Sequence, residues 1–553
     1  MPVLQKLNVG IVGAAGRGAS FSAALEANGA CLQAVCDLNR EKLEENPAFA
    51  AAEKYTEYED MLEHAALDAV IVGTPQQLHA AQAGQALERG LHVLSEVPAA
   101  VSIEEARRLV QAASAASSIY MLAENYNYFK GNILVRELAR QGLFGEVYYA
   151  EGEYLHNVRS YIPRTPWRRH WQMGIDGNTY PTHELGPILS WMPGDRVARL
   201  ACEGSGRHYT DGDGQALHQD TSLMVCKTAR GALIKIRLDL VSERPESVRF
   251  QLQGTDGVYE SEPWGGGFDR IWLRGLSQQV KWLDAAALAQ IDTLAEKYLP
   301  DWWRHPPEAA LKAGHDGGDF FVLMDFLAAA RGEQPSPLDI HAAMDMTLPG
   351  LVSQQSIVQN GAWLDVPDSR AWVGQPLPTG QLQMILSEEA LAGRDLPPVP
   401  SGYRLRQYRP EDEAGYYALM TRAGFDGWTA ERMGKVLPTV LPGGFFVVEH
   451  LASGQVAASA LAQHVPTELH PFGGQLGWVA ADPDHRGRKL GTLVTAAATR
   501  RLIEAGYRRI YLLTDDFRLP AIRIYLALGY TPLYHAPDMP ERWQAVLQQL
   551  GQG

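Results

Sequence analysis

The stretch Val9-Gly10-Ile11-Val12-Gly13-Ala14-Ala15-Gly16-Arg17-Gly18 decides how the first part of the chain is interpreted. An apolar run ends at Val12, glycines follow, and the alanine-rich segment 19–27 predicts a helix. Free backbone N–H groups at such a strand–turn–helix junction, together with the positive end of the helix dipole, suit a pyrophosphate. Asp37 ends the next predicted strand about 20 residues later, where a carboxylate can bind the ribose hydroxyls of NAD.

Strand-like and helix-like patterns then alternate to residue 124, which predicts a parallel, doubly wound α/β sheet. The ligand of such a sheet lies at the carboxyl ends of its strands. We therefore predict that NAD contacts the glycine loop and the residues at these strand ends. They are Gly13, Ala14, Ala15, Gly16, Arg17, Gly18, Asp37, Thr74, His79, Glu96 and Asn125. Arg40 leaves NADP as the alternative, and a strand–turn–helix without a ligand is the other interpretation of the glycine stretch alone.

Composition and charge exclude several classes of function. The 553 residues are 46% hydrophobic and 20% charged, with a formal net charge of −15 at pH 7. This acidic balance argues against a nucleic-acid-binding protein. No stretch is long and apolar enough for a membrane helix, and the first strand begins too early for a secretory signal, so we predict a cytoplasmic protein. The four cysteines lack metal-type spacing and are predicted to be buried thiols; we predict no metal site.

Two further domains follow the first. From Gly145 the runs alternate apolar and polar residues, which predicts an antiparallel sheet with one covered face, closed by helices over 320–330 and 340–359. Residues rich in proline and glycine then predict a linker with one short helix over 382–392. We therefore divide the chain into domains of residues 1–124, 125–370 and 402–553, with a linker over 371–401.

Several motifs in a fixed order carry a resemblance to a known family. They are Glu96-Val97-Pro98, Glu124-Asn125 with Tyr128, Trp167-Arg168, Gly177 to Pro187 (GNTYPTHELGP) and Gly314-His315-Asp316-Gly317-Gly318-Asp319. Their order resembles the Gfo/Idh/MocA oxidoreductases, which have a Rossmann domain followed by a domain with an open sheet. Most members carry Glu-Lys-Pro, whose lysine assists hydride transfer, whereas Val97 stands here. Within the family, the chain is most similar to the NAD-dependent α-N-acetylgalactosaminidase-type glycoside hydrolases (family 109).

This resemblance implies a redox-neutral hydrolysis. The sugar 3-hydroxyl is oxidised by bound NAD, the proton at position 2 is removed, the glycosidic oxygen leaves by elimination, water adds, and the hydride returns. The resemblance implies proton transfer by Tyr180 and His183, which share a helix face if Pro181 opens a helix. It implies a contact of His315 with the sugar or the leaving group. Substrate binding is implied for Glu96, Tyr128, Arg168 and Tyr180.

Two alternatives stay open for the first two domains. One is an ordinary NAD-dependent sugar dehydrogenase, and the other is a non-catalytic sensor of a sugar or cofactor. In each case we predict a small sugar or glycoside as the ligand and no nucleic-acid or membrane partner. Because an exposed sheet face usually finds cover, we also predict a homodimer.

Residues 403–553 resemble a GCN5-related N-acetyltransferase (GNAT) domain. The strand 476–480 runs into Arg486-Gly487-Arg488-Lys489-Leu490-Gly491 at the start of a helix, where backbone N–H groups suit the pyrophosphate of acetyl-CoA. The resemblance implies that acetyl-CoA is held by Val479, Ala481, Arg486, Gly487, Arg488 and Gly491. It also implies that Tyr525 protonates the departing thiolate and that an amine is the acceptor. Lys489 and Arg518 replace a usual glycine and asparagine, which leaves a domain that only binds as the alternative. An aminosugar as the acceptor is a hypothesis that rests on the fusion alone.

Overall fold

The computed structural model describes residues 6–212, 214, 217–262, 269–276, 280, 282, 285–375, 380–386, 396–425, 427–516, 518–536 and 539–550. The chain divides into two units, Met1–Gln375 and Pro376–Gly553. Each unit has its own buried hydrophobic cluster. In the described part of the chain, no helix combines the length and the apolar character needed to cross a bilayer.

The first unit begins with a six-stranded parallel sheet in the order β3-β2-β1-β4-β5-β6. Its strands are β1 (Leu7–Val12), β2 (Ala30–Cys36), β3 (Glu53–Tyr55), β4 (Ala69–Val72), β5 (His92–Ser95) and β6 (Tyr120–Leu122). Its helices are α1 (Ser22–Leu25), α2 (Arg40–Glu45), α3 (Tyr58–His64), α4 (His79–Glu88) and α5 (Ile103–Ala115). The strand order reverses at β1, so the doubly wound sheet is confirmed. The helix predicted over 19–27 is shorter, because a 3-10 turn over Arg17–Phe21 precedes α1.

The rest of the first unit contains an eight-stranded sheet in the order β13-β12-β11-β7-β10-β9-β8-β14. Its strands are β7 (Val147–Leu155), β8 (Val197–Gly204), β9 (Thr221–Thr228), β10 (Leu233–Asp239), β11 (Ser247–Gly254), β12 (Gly257–Glu260), β13 (Arg270–Leu273) and β14 (Leu364–Asp365). The pair β7–β10 is parallel, and the other described pairs are antiparallel, so a mostly antiparallel sheet is confirmed.

Helices cover the inner face of this sheet, with α8 on β7 and α13 on β8. The helices are α6 (Lys130–Arg140), α7 (Arg168–Trp171), α8 (Thr182–Trp191), α9 (Ala285–Tyr298), α10 (Asp301–Arg304), α11 (Glu308–Lys312), α12 (Gly318–Ala330) and α13 (Ile340–Val358). The two helices predicted over 320–330 and 340–359 therefore agree with α12 and α13. Cys202 and Cys226 are buried free thiols in the core, as predicted.

The second unit is a seven-stranded sheet in the order β16-β17-β18-β19-β20-β15-β21. Its strands are β15 (Leu382–Leu386), β16 (Tyr403–Gln407), β17 (Val440–His450), β18 (Val456–His464), β19 (Gly474–Ala481), β20 (Ile510–Thr514) and β21 (Tyr530–Leu533). Its helices are α14 (Glu413–Arg422), α15 (Ala430–Val436), α16 (Leu490–Glu504), α17 (Leu519–Ala527) and α18 (Met539–Gln549). The consecutive strands β17 and β18 pair antiparallel and form a hairpin.

One element corrects the predicted linker. Residues 382–386 form the strand β15, which pairs antiparallel with both β20 and β21 and so lies inside the sheet. Leu382, Met384 and Leu386 are buried, and Gln383 between them is also buried, so the segment is covered on both faces. A short apolar run of this kind suits a buried strand as well as a helix, and periodicity alone does not distinguish the two. The remainder of the predicted helix, residues 387–392, lies outside the described residues.

Candidate active sites

The glycine loop after β1 lies against the loop after β4. Gly13 has a φ of +79°, and a Cβ there would lie 2.5 Å from the carbonyl carbon of Gly73. A Cβ on Gly73 would in turn lie 2.6 Å from the Cα atom of Gly18. Only glycine allows this approach, because any side chain would overlap the facing backbone. The two loops thus form the floor of the crevice at the carboxyl ends of the strands.

Asp37 lies beside this loop at the end of β2, where the sequence places it. Its Oδ2 accepts a hydrogen bond from the Ala15 N–H at 3.0 Å, and its Oδ1 accepts one from the Asn39 N–H at 3.0 Å. Each oxygen keeps a lone pair that can accept from a ribose hydroxyl. Arg40, the residue that kept NADP as the alternative cofactor, pairs with Glu44 at 2.9 Å on an exposed surface. The geometry therefore favours ribose hydroxyls over a ribose phosphate.

An ion pair connects the glycine loop to α12. Arg17 donates two hydrogen bonds to Asp319, at 2.6 and 2.8 Å, and its Nε lies 2.9 Å from Oε1 of Glu96. Asp319 also accepts from the Asn125 amide at 3.0 Å and lies 3.1 Å from Nδ1 of His315. Burial alone would raise the pKa of Asp319, but the hydrogen bonds from Arg17 and His315 lower it well below its usual value. Three predicted site residues, Arg17, Asn125 and His315, are thus held by one buried carboxylate.

The loop that carries His315 has an unusual backbone. His315, Asp316 and Gly317 have φ values of 53°, 50° and 88°, so three successive residues are left-handed. Such a conformation costs about 1–2 kcal/mol for each non-glycine residue and tends to persist at functional sites. The side chain of His315 is 40% exposed and faces Asp319. The structure therefore places His315 in the Arg17 network rather than beside Tyr180 and His183.

His183 is held by Glu124, which ends β6. The Nδ1–H of His183 donates to Oε1 of Glu124 at 2.8 Å, and Glu124 has no exposed surface. The imidazole stacks on Tyr126 with centroids 4.2 Å apart and meets the ring of Tyr180 edge-on at 5.1 Å. Because Pro181 precedes the first turn of α8, the two predicted proton-transfer residues do come together. With Nδ1 bound to a carboxylate, Nε2 carries the lone pair and can accept a proton.

The hydroxyl of Tyr180 stays protonated at neutral pH. Burial raises the pKa of this phenol well above its usual value, and the charge of Glu96 raises it further. The guanidinium of Arg168 opposes this rise, which places Arg168 within electrostatic reach of Tyr180. Arg168 is half-buried, lies over the ring of Trp167 at 4.7 Å and donates to Gln172. Tyr180 therefore keeps a proton that it can donate, beside a histidine that can accept one.

A second carboxyl, Glu184, lies behind this pair. Gly152 of β7 lets α8 approach closely, since a Cβ there would lie 2.8 Å from Cβ of Glu184. Both oxygens of Glu184 are buried and have no hydrogen-bond partner among the described residues. Burial and the nearby charge of Glu124 raise the pKa of Glu184 well above its usual value, which favours the neutral form of this carboxyl.

Two predicted contacts need correction. The hydroxyl of Tyr128 donates to Asp325 at 2.7 Å inside the core, so Tyr128 is not available to a substrate. The ring nitrogens of buried His79 lie 2.9 Å from the carbonyl of Pro98 and 2.8 Å from that of Thr74, so neither is left for a cofactor. Both residues support neighbouring loops. Each had been placed by its position in a motif, which does not show where a side chain points.

Sequence reasoning assigned no role to several residues that complete this site. Glu124 and Asp319 stand in the quoted motifs, and Glu124 follows a predicted strand end, which was the available signal. Tyr126 and Tyr154 flank His183, with ring centroids at 4.2 and 5.1 Å. Val97 is buried at the position of the family's lysine, so no ammonium stands there.

The second unit contains a cavity of about 1220 Å³ where β19 and β20 separate. These parallel strands pair only at Gln475 and Tyr511 within the described residues, which leaves a V-shaped opening. Most of the predicted acetyl-CoA contacts line the cavity, namely Val479, Ala481, Arg486, Gly487, Gly491 and Tyr525. Arg488 is exposed nearby. Burial raises the pKa of the Tyr525 phenol well above its usual value, so its proton is available to a thiolate.

Lys489 adopts the backbone conformation that its loop requires. It precedes α16 with φ 57° and ψ 25°, a left-handed conformation, and Gly487 before it has φ 77°. A lysine in place of the usual glycine therefore leaves the path of the loop intact. Arg518 donates to Asp515 at 2.9 Å and stacks on Phe425 at 4.2 Å, at the wall of the same cavity.

Comparison with known proteins agrees with this geometry. Residues 7–124 match the model of the oxidoreductase family with an NAD-binding Rossmann fold, and residues 128–372 match that of the glycosyl hydrolase 109 C-terminal domain. Residues 412–530 match the acetyltransferase (GNAT) family.

Relatives and solved structures are similar over the first unit. A glycosyl hydrolase family 109 protein of Shewanella pealeana is 30% identical over 415 residues, which is 68% of this chain and 89% of that protein. An alpha-N-acetylgalactosaminidase of Shewanella oneidensis is 29% identical over 66% of this chain and 86% of its own length. An NAD binding oxidoreductase from Klebsiella pneumoniae has a TM-score of 0.54 at 19% identity, covering 66% of this chain and 99% of that one. Levoglucosan dehydrogenase in complex with NADH and L-sorbose has a TM-score of 0.52 at 20% identity, covering 66% of this chain and 100% of that one. At such identity the solved structures show a shared fold.

Proposed function

The chain belongs to the glycosyl hydrolase 109 family and carries a GNAT acetyltransferase domain, and from this premise we propose that it is a bifunctional enzyme. The first unit is a glycoside hydrolase of the α-N-acetylgalactosaminidase type that transiently oxidises the sugar 3-hydroxyl. The second unit transfers an acetyl group to an amine. The observation that carries the first proposal is the pair of Tyr180 and His183, held by Glu124, where buried Val97 replaces the lysine of dehydrogenases.

The residues of the first crevice fit NAD. A Cβ on Gly16 would meet only Gly13 O, at 3.7 Å, so the space above the glycine loop is open. Asp37 offers its carboxylate to ribose hydroxyls. The Oδ1 atom of Asn125 is buried without a hydrogen-bond partner among the described residues, and it can accept from a carboxamide. When bound, NAD supplies an acceptor for a hydride and later returns it.

The protein's own residues move the protons. The O–H proton of the sugar 3-hydroxyl passes to water when that carbon is oxidised and is taken back from water when the carbon is reduced again. Nε2 of His183 accepts the proton that leaves the carbon next to the oxidised centre, and Glu124 stabilises the imidazolium that results. Tyr180, protonated at neutral pH, donates to the glycosidic oxygen as its bond to carbon breaks. Arg168 lies close enough to influence Tyr180 and can bind a sugar hydroxyl or carbonyl. Glu96, fixed by Arg17, orients a second hydroxyl.

The test for the first unit is the hydrolysis of an aryl α-N-acetylgalactosaminide in deuterated water, without added cofactor. We expect release of the aglycone, deuterium at position 2 of the product sugar, and no accumulation of NADH. Accumulation of NADH without aglycone would instead identify a sugar dehydrogenase. Binding of the sugar without either product would identify a sensor. A Tyr180→Phe variant that retains its NAD serves as the inactive control.

The proposal for the second unit rests on Tyr525 at the wall of the opening between β19 and β20. We expect the release of free CoA when acetyl-CoA and a primary amine are added together. A Tyr525→Phe variant should bind acetyl-CoA but release CoA more slowly by about 100-fold, the usual scale of one general acid. A wild-type domain that binds acetyl-CoA and transfers to no amine would be a binding module.

We further propose that the first unit forms a homodimer through the outer face of its eight-stranded sheet. Leu223 and Leu233 are 41% and 36% exposed on that face, among side chains such as Lys235 and Arg237 that pair with glutamates. Light scattering of the full chain at increasing concentration tests this state. A Leu223→Glu substitution should shift the mass toward that of a monomer.

A further inference from the structure

One hydrogen-bond acceptor in the cavity of the second unit has no partner. Gln463 lies on β18, is 3% exposed and lines the cavity with Gly477 and Trp478. Its Oε1 atom is buried and accepts no hydrogen bond from any described residue. A Cβ on Gly477 would lie 1.8 Å from this oxygen, so the oxygen can occupy this position only because residue 477 is a glycine.

Two successive hydrogen bonds fix which end of the Gln463 amide is left without a partner among the described residues. The hydroxyl of Thr439 donates its proton to the carbonyl of Val436 at 2.7 Å. Because the hydroxyl has only this one proton, it must act as the acceptor in its hydrogen bond with Nε2 of Gln463, which lies 2.7 Å away. A flipped amide would place two acceptors against each other. The free end of Gln463 is therefore an oxygen, and it selects a ligand that donates a hydrogen bond.

The charged groups around this part of the cavity already have partners. Arg422 pairs with Asp482 at 2.8 Å, and Arg518 with Asp515 at 2.9 Å. Lys435 pairs with Glu431 at 2.8 Å on the exposed rim. Arg486 and Lys489 have no ion-pair partner among the described residues, and they belong to the loop that is predicted to face the phosphates of acetyl-CoA. A polycation or an acidic acceptor would find no free opposite charge among the described residues near Gln463.

Aromatic and neutral polar groups fill the remainder of the wall. The ring centroids of Trp478 and Phe425 lie 5.9 Å apart, and both residues line the cavity together with Val436 and Val465. Such a surface suits a compact body that is apolar on one side and hydroxylated on the other.

We propose that Gln463 binds the amino group of the acetyl acceptor, and that the acceptor is an uncharged, hydroxylated primary amine of the aminosugar class. This assignment rests on the acetyltransferase activity proposed above. An amine N–H donated to Oε1 places the nitrogen beside the opening between β19 and β20, where the thioester of acetyl-CoA is expected. A sugar ring then packs against Trp478 and Phe425.

The transfer joins the acetyl group to the amine and releases CoA as its thiol. The neutral amine nitrogen attacks the thioester carbonyl carbon, the C–N bond forms, and the C–S bond breaks. The leaving thiolate takes the proton of the Tyr525 hydroxyl. One amine proton passes to water, from which Tyr525 is reprotonated. Gln463 holds the nitrogen and transfers no proton.

The test uses the full chain, acetyl-CoA and three amines: galactosamine, spermidine and a lysine-containing peptide. We expect galactosamine to be acetylated with the highest kcat/KM. In Gln463→Met the KM for galactosamine should rise about tenfold, the equivalent of one hydrogen bond to a charged or strongly polar group. The KM for acetyl-CoA should change less than about twofold, since the loop that binds its phosphates is untouched.

Two further variants separate positioning from folding. Thr439→Val removes the hydroxyl that orients the amide and should raise the KM for galactosamine. Thr439→Ser keeps the hydroxyl, so its KM for galactosamine should stay near the wild-type value. Gln383→Met is the matched control. Gln383 is also a buried glutamine of this sheet, but its Oε1 is bonded to His470 at 2.6 Å and does not line the cavity. Its substitution should leave the galactosamine KM unchanged in protein that still binds acetyl-CoA.

Each outcome has a distinct meaning. An unchanged galactosamine KM in Gln463→Met would overturn the role of Gln463, and a preference for spermidine or the peptide would overturn the acceptor class. Binding of acetyl-CoA without transfer to any of the amines would overturn the proposed acetyltransferase activity, and this assignment with it.

Discussion

The Nδ1 atom of His183 lies 2.8 Å from Oε1 of Glu124, a carboxylate without exposed surface at the end of β6. The Rossmann sheet thus supplies the group that orients the histidine, and the second domain supplies the histidine. This relationship resembles the support of a catalytic base by a buried carboxylate in other enzymes. It fixes the tautomer with the lone pair on Nε2 and leads directly to the first prediction.

Replacing Glu124 by glutamine should lower kcat for glycoside hydrolysis by about 100-fold or more, because the neutral amide no longer stabilises the imidazolium. The amount of NAD that copurifies with the protein should stay the same. The measurement is aglycone release under saturating substrate, beside the absorbance of bound cofactor.

Glu184→Gln is the control for this prediction. Glu184 is a neighbouring buried carboxyl whose pKa is raised by burial, which favours its neutral form, and a glutamine is a close substitute for that form. We expect kcat within about threefold of wild type. An equal loss of kcat in Glu124→Gln and Glu184→Gln would show that Glu124 acts only through packing.

Tyr180→Phe should lower kcat by about 100-fold or more while the protein still binds NAD. Because burial raises the pKa of Tyr180 above the usual 10.0, its phenol keeps its proton as the pH approaches that value. The wild-type pH–rate profile should therefore show no decline from this group up to pH 10.0. A fall in kcat below that pH that disappears in Tyr180→Phe would contradict the raised pKa.

Asp319→Asn should destabilise the first unit by about 2 kcal/mol at pH 7, since it removes one of the two buried carboxylates that pair with Arg17. The folded-state pKa of Asp319 lies below its usual 3.8, so its contribution to stability is present above 3.8 and is lost only as the pH falls through the lower folded value. Urea denaturation at pH 7 and at pH 4 should therefore give a similar difference between wild type and variant.

The same substitution should weaken NAD binding, because Arg17 belongs to the glycine loop. Titration of the cofactor-free protein with NAD measures this change. Arg40→Ala, in an exposed pair beside the same crevice, is the comparison and should leave the NAD affinity unchanged. An equal weakening by Arg40→Ala would indicate a contact of Arg40 with the cofactor.

Met384→Ala should destabilise the second unit by about 2–5 kcal/mol, the usual cost of truncating a buried methionine. Met384 has no exposed surface and lies on β15, between β20 and β21. Acetyl-CoA should protect the variant less well against heat, while NAD binding by the first unit is unaffected. A substitution that left both unfolding transitions in place would show that residues 382–386 behave as a linker after all.

The sequence by itself determined the local features of this protein. The apolar run before Gly13, the alternation in β9 and β10 and the turn between β17 and β18 all follow from side-chain period and backbone preference over a few residues. For this reason the doubly wound sheet and the mostly antiparallel sheet were predictable, whereas the acetyltransferase domain was predicted from its resemblance to the GNAT family. Tyr180 and His183 came together as expected because Tyr180 lies just before Pro181 and His183 lies in the first turn of the helix that follows.

Only the tertiary structure decided the features that join distant parts of the chain. Arg17 and Asp319 are 302 positions apart, and no local pattern says that they pair. The same holds for β15, whose apolar residues suit a helix or a strand until two neighbours pair with it. The side chain of Tyr128 points to Asp325, and the amide oxygen of Gln463 lies against Gly477, because the packing of neighbouring elements sets the direction of a side chain. The sequence therefore determined which chemical groups are available to each site, and the fold determined which of these groups lie close together.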